Sequence, residues 1–250
     1  MIHLRVLPFG VLKDWLGASE SAVALPEGAT VAELLEHIQA SQPAARQASI
    51  LRGIAVSVNA EYVPATHPLR DGDEVGLLPP VSGGSAPDPA PGPASDAGSV
   101  TLTREIIDAH SLVAASKRGE DGGVVVFDGI VRNHTRSRQT LYLDYEAYEG
   151  MAFKQMGELA SQARARFGVR HVTMIHRLGR LQVGETSVLI VVASAHRAPA
   201  YEASRWLIDT LKTTVPIWKK ETFVDGAVWA AGEPFPESLA VTPPETKREG

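Results

Sequence analysis

Residues 77–84 read Leu-Leu-Pro-Pro-Val-Ser-Gly-Gly, and this stretch marks the end of a small N-terminal domain. Glycine has no side chain and permits close backbone approach. A Gly-Gly end therefore suits a carrier domain whose terminal carboxyl must enter a narrow enzyme pocket. Taken alone, Gly83 and Gly84 are equally compatible with the start of a flexible linker. Ser85 continues the chain, so the function depends on whether the Gly84–Ser85 bond is cut.

A proline-rich segment, residues 85–99, follows directly. Its prolines remove backbone donors and favour an extended chain, and it offers no large apolar side chains for a core. We therefore predict a flexible linker between a domain of residues 1–84 and a domain of residues 100–232. Residues 233–250 are rich in proline and charge and are predicted to form a loose C-terminal tail.

The composition limits what the chain does. Its 250 residues are 44% apolar, enough for two small packed domains. The net charge of -5 argues against a general nucleic-acid binder. Cysteine is absent, which excludes disulfides, a cysteine nucleophile, a cysteine persulfide and a cysteine zinc site. No signal peptide or membrane span is indicated, so the sequence predicts no membrane partner and a cytoplasmic location.

An amphipathic helix lies within the N-terminal domain. Thr30 and Glu33 have the spacing of a capping box, in which each side chain bonds the other residue's backbone amide. Apolar residues then recur at helical spacing, at Val31, Leu34, Leu35 and Ile38. Strands are predicted at residues 2–7, 22–25, 55–58 and 74–78. This order predicts a β-grasp (ubiquitin-like) domain.

In the C-terminal domain, predicted strands and helices alternate. Strands are predicted at residues 124–131, 141–148, 172–175, 187–193, 217–223 and 227–230, and helices at 151–167 and 199–213. Residues 187–193 are almost continuously apolar, as in a strand buried on both faces. The whole chain is therefore predicted to be α+β, with an α/β sandwich as its second domain.

Several cations stand at the ends of these predicted elements, where side chains can converge on a pocket. They are Arg132, His134, Arg136, His196, Arg197, Lys212 and Lys219. Each has a structural alternative, since Lys212 complements a helix dipole and His196 is compatible with a satisfied core histidine. Pro216 separates Lys212 from Lys219, so helical spacing cannot bring the two together and only the tertiary fold can. The pattern alone indicates an anion site.

Longer motifs make the interpretation more specific. Residues 67–75 (His-Pro-Leu-Arg-Asp-Gly-Asp-Glu-Val) running into residues 78–84 closely resemble the end of the molybdopterin synthase small subunit, a ubiquitin-like sulfur carrier. Residues 123–229 resemble the large, catalytic subunit of the same enzyme. The matching motifs are residues 127–134, 146–151, 175–179, 194–197, 211–213 and 216–221.

The resemblance implies a natural fusion of both subunits of a sulfurtransferase in molybdenum cofactor biosynthesis. An E1-like adenylyltransferase would activate Gly84, which would then become a thiocarboxylate. The carrier would deliver its sulfur to cyclic pyranopterin monophosphate, and two rounds would form the dithiolene of molybdopterin. The resemblance implies no metal or other cofactor, and it implies a homodimer formed through the catalytic domain.

Individual residues match the motifs of this family. Lys212 and Lys219 match its catalytic lysines, with Lys212 nearest the carrier's terminal carbonyl. Gly83 and Gly84 match the sulfur-carrier terminus. The substrate-binding matches are Arg132, His196 and Arg197 for the anion, Phe127 for the pterin, and His134, with Arg136, at the border of the pocket. For Phe127 a plain core role remains an alternative.

The fusion departs from the family pattern, because the amide to Ser85 blocks adenylation of Gly84. The exposed linker suggests that a protease releases Gly84. In an alternative, the fused carrier is a plug or docking module and a separate carrier supplies the sulfur. An inert catalytic domain and a pure ubiquitin-like modifier are further alternatives. The sequence leaves open whether the carrier end serves its own or a neighbouring catalytic domain.

Overall fold

The computed structural model describes residues 1–41, 53–81, 99–135, 137–230, 235 and 239–241. The chain forms two compact units, the first of residues 1–81 and 231–250 and the second of residues 82–230. Gly83, Gly84 and the predicted linker, apart from Ser99, lie outside the described residues, as does Arg136. None of the helices in the described ranges is long and apolar enough to cross a membrane.

The elements follow one another along the chain as strands with a few helices between them. The first unit contains β1 (Ile2–Pro8), α1 (Val11–Leu16), β2 (Ser21–Leu25), α2 (Val31–Ser41), β3 (Ile54–Val58), β4 (Glu61–Val63) and β5 (Glu74–Leu78). The second unit begins with β6 (Val100–Thr103), α3 (Ala109–Ser116), β7 (Gly123–Ile130), β8 (His134–Thr135), β9 (Arg138–Ala147) and α4 (Glu149–Phe167). It continues with β10 (His171–Arg177), β11 (Gly179–Gln182), β12 (Thr186–Ser194), α5 (Arg197–Thr214), β13 (Ile217–Phe223) and β14 (Gly226–Trp229). The last strand, β15 (Ala240–Val241), returns to the first unit.

The first unit is a β-grasp fold, as predicted. β1 pairs antiparallel with β2 and parallel with β5, and the sheet order is β15-β3-β5-β1-β2, with β4 also on β3. α2 buries its apolar face in the core of this unit. The capping box forms, because the Thr30 amide donates to Glu33 Oε2 at 2.7 Å and the Glu33 amide donates to Thr30 Oγ1 at 3.4 Å.

The second unit is built on a four-stranded sheet with the order β6-β10-β12-β7. Successive side chains of a strand point to opposite faces, and β12 is buried on both of them. Ile190 packs in a cluster with residues of α4 and α5, whereas its neighbour Leu189 packs towards α3. A second sheet has the order β11-β9-β13-β14, with β8 also on β9. The α+β prediction is therefore confirmed for both units.

The C-terminal segment contributes to the first unit. Ala240 pairs with Ala55 and Val241 with Ile54 in an antiparallel ladder. Phe235 is only 4% exposed, and its ring meets that of Tyr62 edge-on at 5.8 Å. The sequence analysis predicted a loose tail at residues 233–250 from their content of proline and charge. It missed these contacts because the partners lie far away in the chain, where no local pattern points to them.

Candidate active site

A cavity of about 390 Å³ lies in the second unit. This volume is in the usual range for a small-molecule site. Residues of both sheets and of α5 line it. Its polar lining consists of Arg132, Thr135, Tyr145, His176, Ser187, Lys212, Lys219 and Glu221. Apolar side chains complete the wall, among them Phe127, Leu143, Ile208 and Ile217.

Strand alternation decides which residues of β13 reach the cavity. Ile217, Lys219 and Glu221 line it, as expected for residues spaced by two in a strand. The intervening Lys220 is absent from the lining and has its ammonium 5.4 Å from the centre of the Trp229 ring. Of two adjacent lysines, one therefore faces the cavity and the other does not.

The connection between α5 and β13 brings the two predicted lysines together. α5 ends at Thr214, and the Val215 amide still donates to the Leu211 carbonyl at 3.0 Å. Pro216 follows and β13 begins at Ile217. Because the chain changes direction so tightly, Lys212 at the helix end and Lys219 on the strand line the same cavity. The tertiary fold therefore brings the two lysines together, which helical spacing along the sequence cannot do.

The electrostatic environment of Lys212 is unfavourable for its charge. Lys212 is exposed in part, yet enough protein surrounds its ammonium that burial lowers the pKa. Lys219 and Arg132 lower the pKa further by charge repulsion. Lys212 therefore gives up a proton more readily than an ordinary lysine, which suits a group that exchanges protons near neutral pH.

We expect the Arg132→Gln variant to raise the pKa of Lys212, because it removes one of the repelling cations. Nuclear magnetic resonance titration of the lysine Cε and Nζ signals measures this shift directly and requires no turnover. Arg180→Gln is the matched control, since Arg180 pairs with Asp144 at 3.1 Å and does not line the cavity. An unchanged or lowered pKa of Lys212 in Arg132→Gln would contradict the proposed electrostatic coupling.

Glu221 is a site residue that the sequence analysis quoted only within a longer motif. Its Oε1 lies 3.1 Å from the Nζ of Lys219, and its side chain is only 4% exposed. The pair holds the Lys219 ammonium in place. Glu221 Oε2 is buried and has no hydrogen-bond partner within the described part of the chain, so it can accept a donor from a ligand. The spacing of two from Lys219 on a strand is the signal that could have found it.

His176 is a second cavity residue that the sequence analysis did not select. Burial lowers its pKa to about 4, so the imidazole is neutral at physiological pH. Its Nδ1 lies 3.0 Å from the Arg177 carbonyl oxygen. Because a carbonyl only accepts, Nδ1 carries the proton and Nε2 is left as an acceptor. The Tyr145 ring meets the imidazole edge-on at 5.1 Å and holds its orientation.

The buried His176 should make the stability of the second unit depend on pH. The unfolded chain takes up a proton at this residue near pH 6.5, whereas the folded chain does so only near pH 4. Stability is therefore full above pH 6.5 and is lost as the pH falls towards 4. Between pH 7 and pH 5 we expect a loss on the order of 2 kcal/mol from this residue.

Urea unfolding at pH 7 and pH 5, followed by tryptophan fluorescence, measures this effect. His176→Gln retains a side-chain donor for the Arg177 carbonyl but has no titration in this range. Carboxylates contribute equally to both proteins, so the difference between their pH dependences isolates the histidine. An identical loss of stability in wild type and variant would show that His176 is not buried in the neutral form.

Phe127, Gly129 and Ile130 of β7 line one wall of the cavity. A Cβ added at Gly129 would come within 2.6 Å of Val188 Cγ1 and 3.2 Å of Phe127 Cε1. A larger residue would therefore force Val188 to move and would crowd the Phe127 ring. Phe127 therefore lies on the wall of the pocket, which is the position that an aromatic side chain needs in order to pack against a ligand.

Three predicted site residues lie elsewhere. His134 is exposed on β8 and does not line the cavity, although the next residue, Thr135, does. His196 and Arg197 are exposed at the start of α5 and also lie outside the cavity lining. The structure therefore brings Lys212, Lys219, Arg132 and Phe127 together within one chain, but not these three.

Gly122 supports the segment that precedes His196. A Cβ at Gly122 would come within 2.2 Å of the Ala195 carbonyl oxygen, so a larger residue would displace this backbone. The Gly122 amide also donates to the Ser194 carbonyl at 3.0 Å.

The described ranges contain no group of three His, Asp or Glu side chains that could hold a metal ion together.

Comparisons with known proteins follow the division into two units. The profile of the family described as "MoaE protein" matches residues 102–214, and that of the "ThiS family" matches residues 6–84. The molybdopterin synthase catalytic subunit of Halalkalibacterium halodurans is 42% identical over 112 residues, which cover 45% of this chain and 72% of that protein. The chain belongs to the molybdopterin synthase family. It carries a ThiS-like carrier domain and a MoaE catalytic domain in one polypeptide.

Further relatives agree with this assignment. The molybdopterin synthase catalytic subunit of Salmonella typhimurium is 40% identical over 131 residues, covering 52% of this chain and 86% of its own length. The crystal structure of molybdopterin synthase from Staphylococcus aureus has a TM-score of 0.50 and 36% identity, covering 53% of this chain and 96% of that chain. The chain is accordingly an enzyme of molybdenum cofactor biosynthesis with molybdopterin synthase activity.

Proposed function

We propose that this chain transfers sulfur from a thiocarboxylate on Gly84 to cyclic pyranopterin monophosphate bound in the cavity of the second unit. The observation that carries the proposal is the meeting of Lys212, Lys219 and Arg132 around one cavity. The chain has no cysteine that could carry sulfur. A thiocarboxylate on the backbone of Gly84 carries sulfur without a thiol side chain and is therefore compatible with this composition.

The charge of the cavity suits both proposed reactants. Three cations line it together with one buried carboxylate, that of Glu221. The substrate phosphate and the thiocarboxylate are both anions, and charge-assisted hydrogen bonds from lysine and arginine offset their loss of hydration. Glu221 Oε2 and His176 Nε2 are acceptors that suit the N–H groups of a pterin ring.

The chemistry divides into two steps that the lysines can assist. In the first, the thiocarboxylate sulfur bonds to a substrate carbon, and an oxygen substituent leaves that carbon with a proton. In the second, water cleaves the bond between the carrier carbonyl and sulfur, which returns a carboxylate on Gly84 and leaves the thiol on the pterin. A second charged carrier repeats both steps to complete the dithiolene.

We assign the proton transfers to Lys212, because burial and the neighbouring cations lower its pKa, so it gives up a proton more readily than an ordinary lysine. Lys219 is paired with Glu221 and would stabilise negative charge as it develops on the carrier carbonyl. Arg132 would hold the substrate phosphate, and Phe127 would pack on the pterin ring.

We further propose that the catalytic domain acts as a homodimer, as its family resemblance implies. His196 and Arg197 are exposed and lie outside the cavity of their own chain. In a homodimer, these two side chains of one copy would contact the substrate anion bound in the cavity of the other copy. For His134 we propose only a position at the border of the pocket, next to Thr135, without a contact inside the cavity.

Reconstitution from purified components tests the proposed reaction. The cut chain, charged by an E1-like adenylyltransferase and a sulfide source, is mixed with cyclic pyranopterin monophosphate, and the product is followed by mass spectrometry. We expect a product that contains two sulfurs per pterin and stoichiometric return of the Gly84 carboxylate. If turnover requires an added separate carrier and does not consume sulfur on Gly84, the fused carrier is a plug or docking module instead.

A further inference from the structure

The outer edge of strand β3 in the carrier domain has two different partners. Along its inner edge, β3 pairs with β5, and Ala55 lies opposite Leu78. On the outer edge, β4 pairs only with residues 56–58. β15 pairs with the remaining residues, since Ala240 lies opposite Ala55 and Val241 opposite Ile54. The C-terminal strand therefore completes an edge that β4 leaves uncovered at Ile54 and Ala55.

This pairing satisfies backbone groups that would otherwise form an open sheet edge. In an antiparallel ladder the N–H and C=O groups of one residue point to the same side, and neighbouring residues alternate. One of Ile54 and Ala55 therefore directs its polar groups towards β15. Both residues are fully buried, and buried backbone groups need a hydrogen-bond partner.

Phe235 provides a second, independent attachment. Its side chain is almost completely buried, and its ring contacts Tyr62 of β4 edge-on. Strand pairing together with an apolar anchor is the way in which extended peptides bind to the edges of sheets. The segment that consists of Phe235 and β15, here called the docking segment, has both features.

The position of the docking segment in the chain gives this contact its meaning. The segment follows β14 and is joined covalently to the catalytic domain, yet it packs within the unit that contains the carrier domain. The proline-rich linker joins the same two parts of the chain a second time. A cut after Gly84 removes the linker connection but leaves the docking segment on the catalytic polypeptide.

We propose that the docking segment holds the carrier domain on its own catalytic chain after the Gly84–Ser85 bond is cut. The cut then separates the carrier domain from the linker, but the docking segment keeps it bound to the catalytic chain. The local concentration of the carrier near the catalytic domain therefore remains high. Ala55 lies between Ala240 and Leu78, so the attachment is at the end of the sheet from which the chain runs towards Gly84. The proposal concerns binding and holds whether or not the sulfur chemistry is as proposed above.

The test compares chains that contain both domains and differ only in the residue at which the C-terminus lies. A site for a sequence-specific protease replaces part of the linker, so that purified protein can be cut completely. Because the natural chain has no cysteine, Glu36→Cys on the exposed side of α2 accepts a single fluorescent label. Dissociation of the labelled carrier after dilution is followed by fluorescence anisotropy and by size-exclusion chromatography.

A cut chain that ends at Val241 should retain the carrier as well as the full-length cut chain does. A cut chain that ends at Gly232 lacks the docking segment, and its dissociation constant should be at least tenfold higher. The two chains share the whole catalytic domain, so contacts made elsewhere cancel. Equal dissociation constants for the two would overturn the proposal.

Point variants keep the test decisive if the shorter chain folds poorly. Ala240→Pro removes a backbone donor from β15 and Phe235→Ala removes the anchor, and each should raise the dissociation constant several-fold. In the uncut chain, amide hydrogen exchange in a peptide that contains Ile54 and Ala55 should become faster in both variants. Unchanged exchange there, with unchanged carrier retention, would show that the docking segment does not bind β3.

Discussion

Replacement of Lys212 by alanine should reduce dithiolene formation by at least about 100-fold, since positioned acid–base groups typically contribute 10²–10⁴ to the rate. Lys212 lies in the cavity with Lys219 and Arg132, and burial and those two cations lower its pKa. Alanine removes the group that exchanges protons while it leaves Arg132 for the phosphate. Substrate binding, measured by fluorescence or calorimetry, should therefore remain detectable.

Lys220→Ala is the matched control, because Lys220 stands on β13 beside Lys219 but does not line the cavity. It removes the same charge from the same region and should leave the rate within about twofold of wild type. The assay uses cut, thiocarboxylated carrier in excess, so that carrier charging does not limit the rate. Wild-type turnover by Lys212→Ala under these conditions would remove Lys212 from the mechanism.

The second large effect concerns the bond between Gly84 and Ser85. A chain in which this bond is intact should form no dithiolene by itself, because an amide carbonyl cannot be adenylated or converted to a thiocarboxylate. A chain cut so that the carrier ends at Gly84 should be active, and one cut to end at Ser85 should not. The difference is expected to be all or none, since one chemical group is either present or absent.

Intact-mass analysis of the protein from its native cells tests whether this cut occurs. We expect a fragment whose mass corresponds to residues 1–84, with a further species that has sulfur in place of one terminal oxygen. Active preparations that contain only the full-length chain would contradict the release of Gly84. Addition of an independent thiocarboxylated carrier to the uncut chain then distinguishes a blocked pocket from one that another carrier can use.

The long elements of both units could be predicted because their patterns are local. The capping box at Thr30 and Glu33 and the apolar spacing after it predicted α2, and the hydrogen bonds of the box are present. The apolar run at residues 187–193 predicted a strand buried on both faces, and β12 is such a strand. Short elements such as β4, β6 and β11 were not predicted, since a few residues do not establish a period.

The candidate site was predictable as a set of residue types but not as an arrangement. Motif resemblance selected Lys212, Lys219, Arg132 and Phe127, and all of them line the cavity. It also selected His196 and Arg197, which lie outside that cavity within a single chain. Glu221 and His176 were not selected. The spacing of two from Lys219 places Glu221 on the same strand face, but the burial of its carboxylate and the neutral state of His176 become evident only from the structure.

The sequence by itself determined that a β-grasp domain and an α+β domain stand on one chain, because helical and strand periods are properties of neighbouring residues. It also placed a Gly-Gly pair where the first domain ends. The tertiary structure decided which charges meet, since Lys212 and Lys219 lie on either side of Pro216 and share a cavity only because the chain turns there. It likewise decided that Phe235 and β15 join the first unit, since strand pairing depends on proximity in space rather than on distance along the chain.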